Sequence, residues 1–164
     1  MSTWISSIHI PPITLVLLAI TIITILQETE LKWSFKGLEI IFLVGIFTLW
    51  EHGRNLQFNA EVISYLLISV FTGLFFGTLR SYAAKIYYSD SRQKWYAKGT
   101  WLSVAIFLLG FAVNTAIKFT FSSLYHDEAA IIAAASVLHV AFAMLAVKLT
   151  FFYKEKHGIA EERK

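Results

Sequence analysis

Five apolar runs separated by polar segments divide the chain, at about residues 10–26, 37–51, 62–79, 100–117 and 129–147. The third, fourth and fifth hold 18, 18 and 19 residues without a formal charge. A helix rises 1.5 Å per residue, so crossing the ~30 Å hydrocarbon core takes about 20 apolar residues, with about 17 as the lower bound. Each of these three runs therefore predicts a transmembrane helix. The first run opens at Pro11-Pro12, and proline suits a first helical turn because that amide has no helical acceptor. No Lys or Arg precedes Lys32, and Ile25-Leu26-Gln27 is not a small-residue cleavage site, so this run reads as a retained span rather than a signal peptide. The second run has only 14 residues between Lys36 and Glu51 and carries Glu39. It is either a short span extended by snorkelling flanks or a tilted, half-buried helix. The pattern predicts an all-α integral membrane helical bundle in a single transmembrane domain, residues 1–164. It has five transmembrane helices, or four if the second run is only interfacial.

Composition supports this reading. Hydrophobic residues make up 57% of the chain and charged residues 15%, where a soluble domain carries about a quarter charged. Cysteine is absent, which excludes disulfides, thiolate ligands and thiol catalysis within the chain. With five spans, Lys32, Lys36, five bases of the central loop and five of the tail share one side, against Arg54 and Lys118 on the other: twelve of the 14 bases against two. The positive-inside rule then places the carboxyl terminus in the cytoplasm and the amino terminus outside a plasma membrane. All five tryptophans (Trp4, Trp33, Trp50, Trp95, Trp101) fall at or near run ends, the level preferred by amphipathic rings. There is no soluble basic domain to bind nucleic acid.

The longest polar segment between runs, residues 80–99, interleaves Arg80, Lys85, Arg92, Lys94 and Lys98 with Tyr87, Tyr88, Trp95 and Tyr96. Arg80 to Lys85 reads as a continuation of the third helix. The remainder reads as two extended arms around a turn at Asp90-Ser91, with Tyr87 packing across to Trp95 or Tyr96. This segment is either a cytoplasmic anchor on anionic headgroups or a docking surface for a membrane partner. The tail, residues 148–164, extends the last helix into water.

Gly73 and Gly77, four apart, share one helix face and admit a close neighbour. The fifth run offers alanines, Ala130 and Ala134 among them, for the same purpose. These small faces serve either packing within the chain or a homodimer seam. His139 lies near mid-membrane, with Asn114 in the fourth run. Intramembrane polar groups are costly and are candidate functional sites, and a neutral His139 bonded to Asn114, Ser136 or a backbone carbonyl is the structural counterpart. Glu39 faces headgroups or pairs with Arg80. No cofactor is expected. Haem, weighed as the alternative, needs two facing histidines at one depth, and His139 differs from His52 and His126 by about 15 Å at helical rise. His9, His52 and His126 are zinc- or copper-type ligands without a tight spacing. No nucleophile–histidine motif, phosphate loop or paired intramembrane carboxylates are present, so no enzyme is expected.

The pattern Gly77-x-x-Arg80, then Lys85-Ile86-Tyr87-Tyr88, then Trp95-Tyr96-x-Lys98-Gly99-Thr100-Trp101 resembles the CcdC-like family of small bacterial multi-pass membrane proteins. The resemblance covers about residues 70–120. It implies several spans with a basic, aromatic hairpin before the last two helices, and it implies no activity and no catalytic residue. The expected function is a non-enzymatic accessory protein that recognises another membrane component or lipid through the central loop. The alternatives are a small carrier or haem-binding redox subunit using His139 and Asn114, and an immunity or sensor protein for an extracellular peptide.

Overall fold

Apart from Thr100, which precedes its helix, every apolar run is helical wherever the structure describes it. The computed structural model describes residues 12–31, 39–40, 42–44, 46–47, 50, 60–124 and 129–157. Helix α1 spans Pro12–Leu26 and strand β1 spans Glu28–Glu30. Helix α2 comprises the helical residues within 39–50. Helix α3 (Ala60–Ala83) leads into strands β2 (Lys85–Ser89) and β3 (Lys94–Lys98), followed by α4 (Trp101–Leu124) and α5 (Ala129–Lys156).

Three helical stretches are long and apolar enough to cross a membrane: Ala60–Ala83, Trp101–Phe121 and Ala135–Lys156, of 24, 21 and 22 residues. At 1.5 Å per residue each exceeds the ~30 Å hydrocarbon core. Helix α1 has 15 residues, short of the ~17 that a span requires, so three of the five expected spans meet the length criterion among the described residues.

Helices α3 and α4 are antiparallel. Tyr65 stacks on Phe121 at one end (centroids 4.0 Å apart, planes 11° apart), and the Ser103 hydroxyl reaches the Arg80 carbonyl at the other. Helices α3 and α5 run in step, Gly73 against His139 and Gly77 against Ala143. Among the described residues, this parallel pair packs more extensively than any other pair of elements. Its closeness has a steric cause. A Cβ at Gly73 would overlap the His139 carbonyl oxygen, and a Cβ at Gly77 that of Ala143. Phe42 of α2 meets Phe142 of α5 edge-on at 5.2 Å. A cluster of Val62, Tyr65, Phe121, Ile131 and Ala135 closes the end remote from the strands.

The two faces of α3 differ in an informative way. Val62, Tyr65, Ser69, Gly73, Gly77 and Ser81 are buried, so its inward face is mostly small or polar. Ile63, Leu67, Phe71, Phe75 and Leu79, also four apart, are 39–65% exposed. A helix in a water-soluble domain has the opposite arrangement, large apolar residues inward and polar ones outward.

The all-α expectation omits one element. The strands form an antiparallel sheet in the order β1-β3-β2. β2 and β3 pair as Lys85↔Lys98, Tyr87↔Tyr96 and Ser89↔Lys94, and β1 adds Glu28↔Lys98 and Glu30↔Tyr96. The backbone leaves its helices at both Leu26 and Ala83, and its amides must find partners elsewhere. A third strand with complementary charge supplies them. The turn between β2 and β3 includes Gln93 at φ 49°.

Candidate functional site

The end of α3 that meets the sheet is built from polar contacts. The last carbonyls of any helix lack partners within it, and here α4 and α5 supply them. Thr100 Oγ1 donates to the Ala83 carbonyl at 2.8 Å and accepts the Ser103 amide at 3.2 Å, so one side chain caps the start of α4 and ties it to the end of α3. Ser103 Oγ donates to the Arg80 carbonyl at 3.2 Å. Lys154, only 6% exposed, reaches across from α5. Its ammonium donates to the carbonyls of Ser81 (2.9 Å), Tyr82 (3.2 Å) and Ala84 (3.3 Å) and lies 5.2 Å from the Tyr82 ring centroid. A cation at a helix C-terminus is also favoured by the helix dipole.

The sheet sits on this junction. Gly99 N donates to Ile25 O at 3.0 Å, joining the end of α1 to the start of α4, and Leu31 N donates to Trp95 O at 2.8 Å. Side chains alternate between faces along a strand. Ile86, Tyr88, Trp95, Ala97 and Thr29 therefore share one face. Lys85, Lys94, Lys98, Glu28 and Glu30 share the other with Tyr87 and Tyr96. Tyr88 and Trp95 meet edge-on at 5.3 Å, and Tyr87 and Tyr96 stack at 6.1 Å. Lys85, Arg92, Lys94 and Lys98 are exposed and Trp95 is half-buried. Lys94 pairs with Glu30 at 2.9 Å, and Arg92 approaches Glu28 at 3.8 Å with its guanidinium 5.3 Å from the Tyr96 centroid. The hydrogen bond and charge of Glu30 hold the Lys94 ammonium above the usual lysine range. Tyr96, and after it Glu28, hold Arg92 further up. Arg92 and Lys94 are thus each matched by a glutamate from β1.

Beneath the opposite face lies a cavity of about 180 Å³. Thr24 and Ile25 of α1, Thr29 of β1, Arg80 of α3, Ser103 of α4 and Phe151 of α5 are among its walls. Arg80 is half-buried, with its guanidinium 5.8 Å from the Phe107 centroid.

His139 is buried between α3 and α5, 8% exposed. Its Nδ1 lies 3.1 Å from the Ser69 carbonyl and 3.2 Å from Thr72 Oγ1. A carbonyl only accepts, so Nδ1 carries the proton. Thr72 Oγ1 itself donates to Ile68 O at 2.8 Å. The neighbouring Ser69 Oγ is buried without a hydrogen-bond partner among the described residues. Asn114, on α4, is half-buried and forms no hydrogen bond to a described residue, and the His139–Asn114 pairing is not among the contacts. Glu39 is exposed on α2 and makes no ion pair with Arg80. The Ala130 and Ala134 side chains, and His9, His52 and His126, lie outside the described residues. The described residues contain no group of three or more His, Asp or Glu that could hold a metal.

Sequence reasoning missed three contributors: β1, Lys154 and the Thr100–Ser103 cap. For β1 a signal exists. Glu28 and Glu30 stand two apart, and so on one face of an extended strand, with charge opposite to that of the basic hairpin. Thr100 stands three residues before Ser103, just ahead of an apolar run, which is N-cap spacing. Lys154 gives no local signal, because only the fold brings it to the end of α3. Comparison of the chain with protein-family models, with curated proteins and with solved structures returns no match.

Proposed function

We propose that this chain is an integral membrane protein of five crossings, in which α1 and α2 also traverse the bilayer. Its sheet end lies in the cytoplasm and recognises another membrane component or a lipid, without chemistry of its own. One observation carries the membrane reading: α3 turns its small and polar residues inward and Ile63, Leu67, Phe71, Phe75 and Leu79 outward. Lipid solvates that stripe at no cost, and small inward residues let helices associate where no hydrophobic drive exists between them. The twelve-to-two distribution of bases supports the sidedness. The recognition reading rests on the exposed Lys85, Arg92, Lys94 and Lys98, held in register by the sheet beside stacked aromatics. A relation to CcdC-like proteins over residues 70–120 is part of this proposal and adds no activity.

The absence of cysteine makes the test direct. Single cysteines at Ser91 and at His126 are exposed to an impermeant maleimide in intact cells. Position 126 reacts and position 91 reacts only after lysis. Labelling of position 91 from outside overturns the sidedness. A photo-reactive amino acid at Ser91 should then give one discrete protein or lipid adduct, lost in the Lys85→Glu, Lys98→Glu double variant. A diffuse adduct pattern that survives the charge reversals overturns the recognition reading.

A further inference from the structure

We infer that the cavity under the sheet is a binding site for a phosphate group, with Arg80 as the residue that engages it. The inference rests on the membrane reading above and goes further, because it assigns a ligand class to a cavity instead of a role to the exposed face.

Arg80 is half-buried, and its side chain reaches the Phe107 ring. A guanidinium carries five N–H donors and no acceptor. No described residue accepts a hydrogen bond from Arg80. No carboxylate is among the described residues that line the cavity, and Glu28 and Glu30, on the opposite face of β1 from Thr29, pair with Arg92 and Lys94. A ring face compensates a desolvated cation only partly. A cation withdrawn in part from water is stabilised by a paired anion. The described residues offer Arg80 none, and an anionic ligand supplies it.

The cavity has room for such a group. Its ~180 Å³ is well beyond the roughly 10–15 Å³ that admits one water. The other polar side chains among its described walls, Thr24, Thr29, Ser81 and Ser103, carry no charge. Their hydroxyls already donate to the carbonyls of Ile20, Ala97, Thr78 and Arg80, so arginine is the one strong donor among the described lining residues. Planar N–H pairs match phosphate oxygens in bidentate fashion. Position in the fold points to the same ligand class. The cavity lies where α3 leaves its apolar stretch and meets the sheet, the level at which phospholipid phosphates sit.

The test uses the full chain in neutral detergent, stripped of lipid and titrated with phosphatidylglycerol under native mass spectrometry. Wild type retains one lipid per chain. Arg80→Gln lowers that affinity at least tenfold, Arg80→Lys less, and Lys118→Gln, toward the other end of α4, leaves it unchanged. Thr29→Glu places a carboxylate in the same cavity, so it displaces the lipid while keeping the arginine and keeps the inference testable if Arg80→Gln does not fold. Inorganic phosphate distinguishes the two sources of the ligand. If it competes with the lipid, the phosphate group suffices; if it does not, the site takes a lipid headgroup with its glycerol. Either result supports the assignment. Lipid retention at wild-type affinity in Arg80→Gln or Thr29→Glu overturns it, as does a wild-type protein that holds neither lipid nor phosphate. The cross-link at position 91 reads the sheet face and the lipid count reads the cavity, so each proposal can fail without the other.

Discussion

The two ends of α3 are secured by opposite chemistries. Near Val62 and Tyr65 the contacts are rings and aliphatic groups: a stacked Tyr65–Phe121 pair over Ile131 and Ala135. Near Ser81 they are ionic and polar: one buried ammonium and two hydroxyls on backbone carbonyls. Between them, Gly73 and Gly77 bring α5 into backbone contact. In a soluble protein the apolar end would dominate, because burial removes surface from water. In hydrocarbon that advantage disappears, since lipid is as apolar as leucine, and packing and hydrogen bonds decide instead. The small-residue seam and the polar end should therefore outweigh the aromatic end.

The seam should show the largest effect. Gly77→Val places a side chain against the Ala143 backbone, which cannot rotate away as a flexible side chain could. Overpacking costs about 1–3 kcal/mol where side chains can yield, so about 3 kcal/mol or more is expected here. Unfolding in a mixed-micelle denaturant titration, followed by tryptophan fluorescence, measures it. Gly77→Ala tests the steric cause, because it already carries the offending Cβ. A loss below ~1 kcal/mol for both variants would mean that α3 and α5 are not held this closely.

Next comes the direct contrast between the ends. Lys154→Met keeps the length of the side chain and removes three donors. Hydrogen bonds to a charged group contribute ~1.5–3 kcal/mol, and orphaned carbonyls add to the cost, so a loss of about 2–3 kcal/mol is expected. Its counterpart, Phe121→Leu, gives up a stacked pair worth ~0.5–1.5 kcal/mol while remaining apolar. If the same titration ranks Phe121→Leu as the more damaging, the protein behaves as if its core were in competition with water, and the membrane reading fails with the ranking.

The contrast also separates what could be read along the chain from what could not. The far end and the seam are written in local periodicity. The inward residues Ser69, Gly73 and Gly77 recur every four positions, and the apolar runs set the helix lengths. The β2–β3 hairpin is equally local, because the aromatic pairs Tyr87-Tyr88 and Trp95-Tyr96 flank a turn at Asp90-Ser91. The sheet end as a whole is not local. β1 lies about 65 residues from its partner strand, and three residues with two glutamates look like a solvated loop until Arg92 and Lys94 are set opposite them. Lys154 is 70 residues from the Ala84 carbonyl it meets, and on its own turn of α5 it resembles any base in a polar tail. His139 stands between these cases. Its place within the fifth helix is legible, whereas its partner depends on which face of α3 arrives beside it, and Ser69 O, not Asn114, is there.

The smallest effect concerns whether the sheet end holds itself or is held by the helices below. Gln93 has φ 49°, a left-handed conformation that costs an L-residue with a Cβ about 1–2 kcal/mol. Glycine removes that cost but gives back roughly 0.5–1 kcal/mol through its greater freedom in the unfolded chain. Gln93→Gly should therefore stabilise the turn by about 0.5–1 kcal/mol. Where that gain is felt is the informative part. If the caps from Thr100, Ser103 and Lys154 make sheet and helices one cooperative unit, slower amide exchange reaches the α3 and α4 amides next to the junction, and the global unfolding midpoint rises. If the sheet opens by itself, protection increases only from Lys85 to Lys98 and the midpoint stays where it was. The second result would turn the sheet end from a rigid platform into a separately opening flap, and the polar contacts at the end of α3 would then secure the helices without fixing the strands above them.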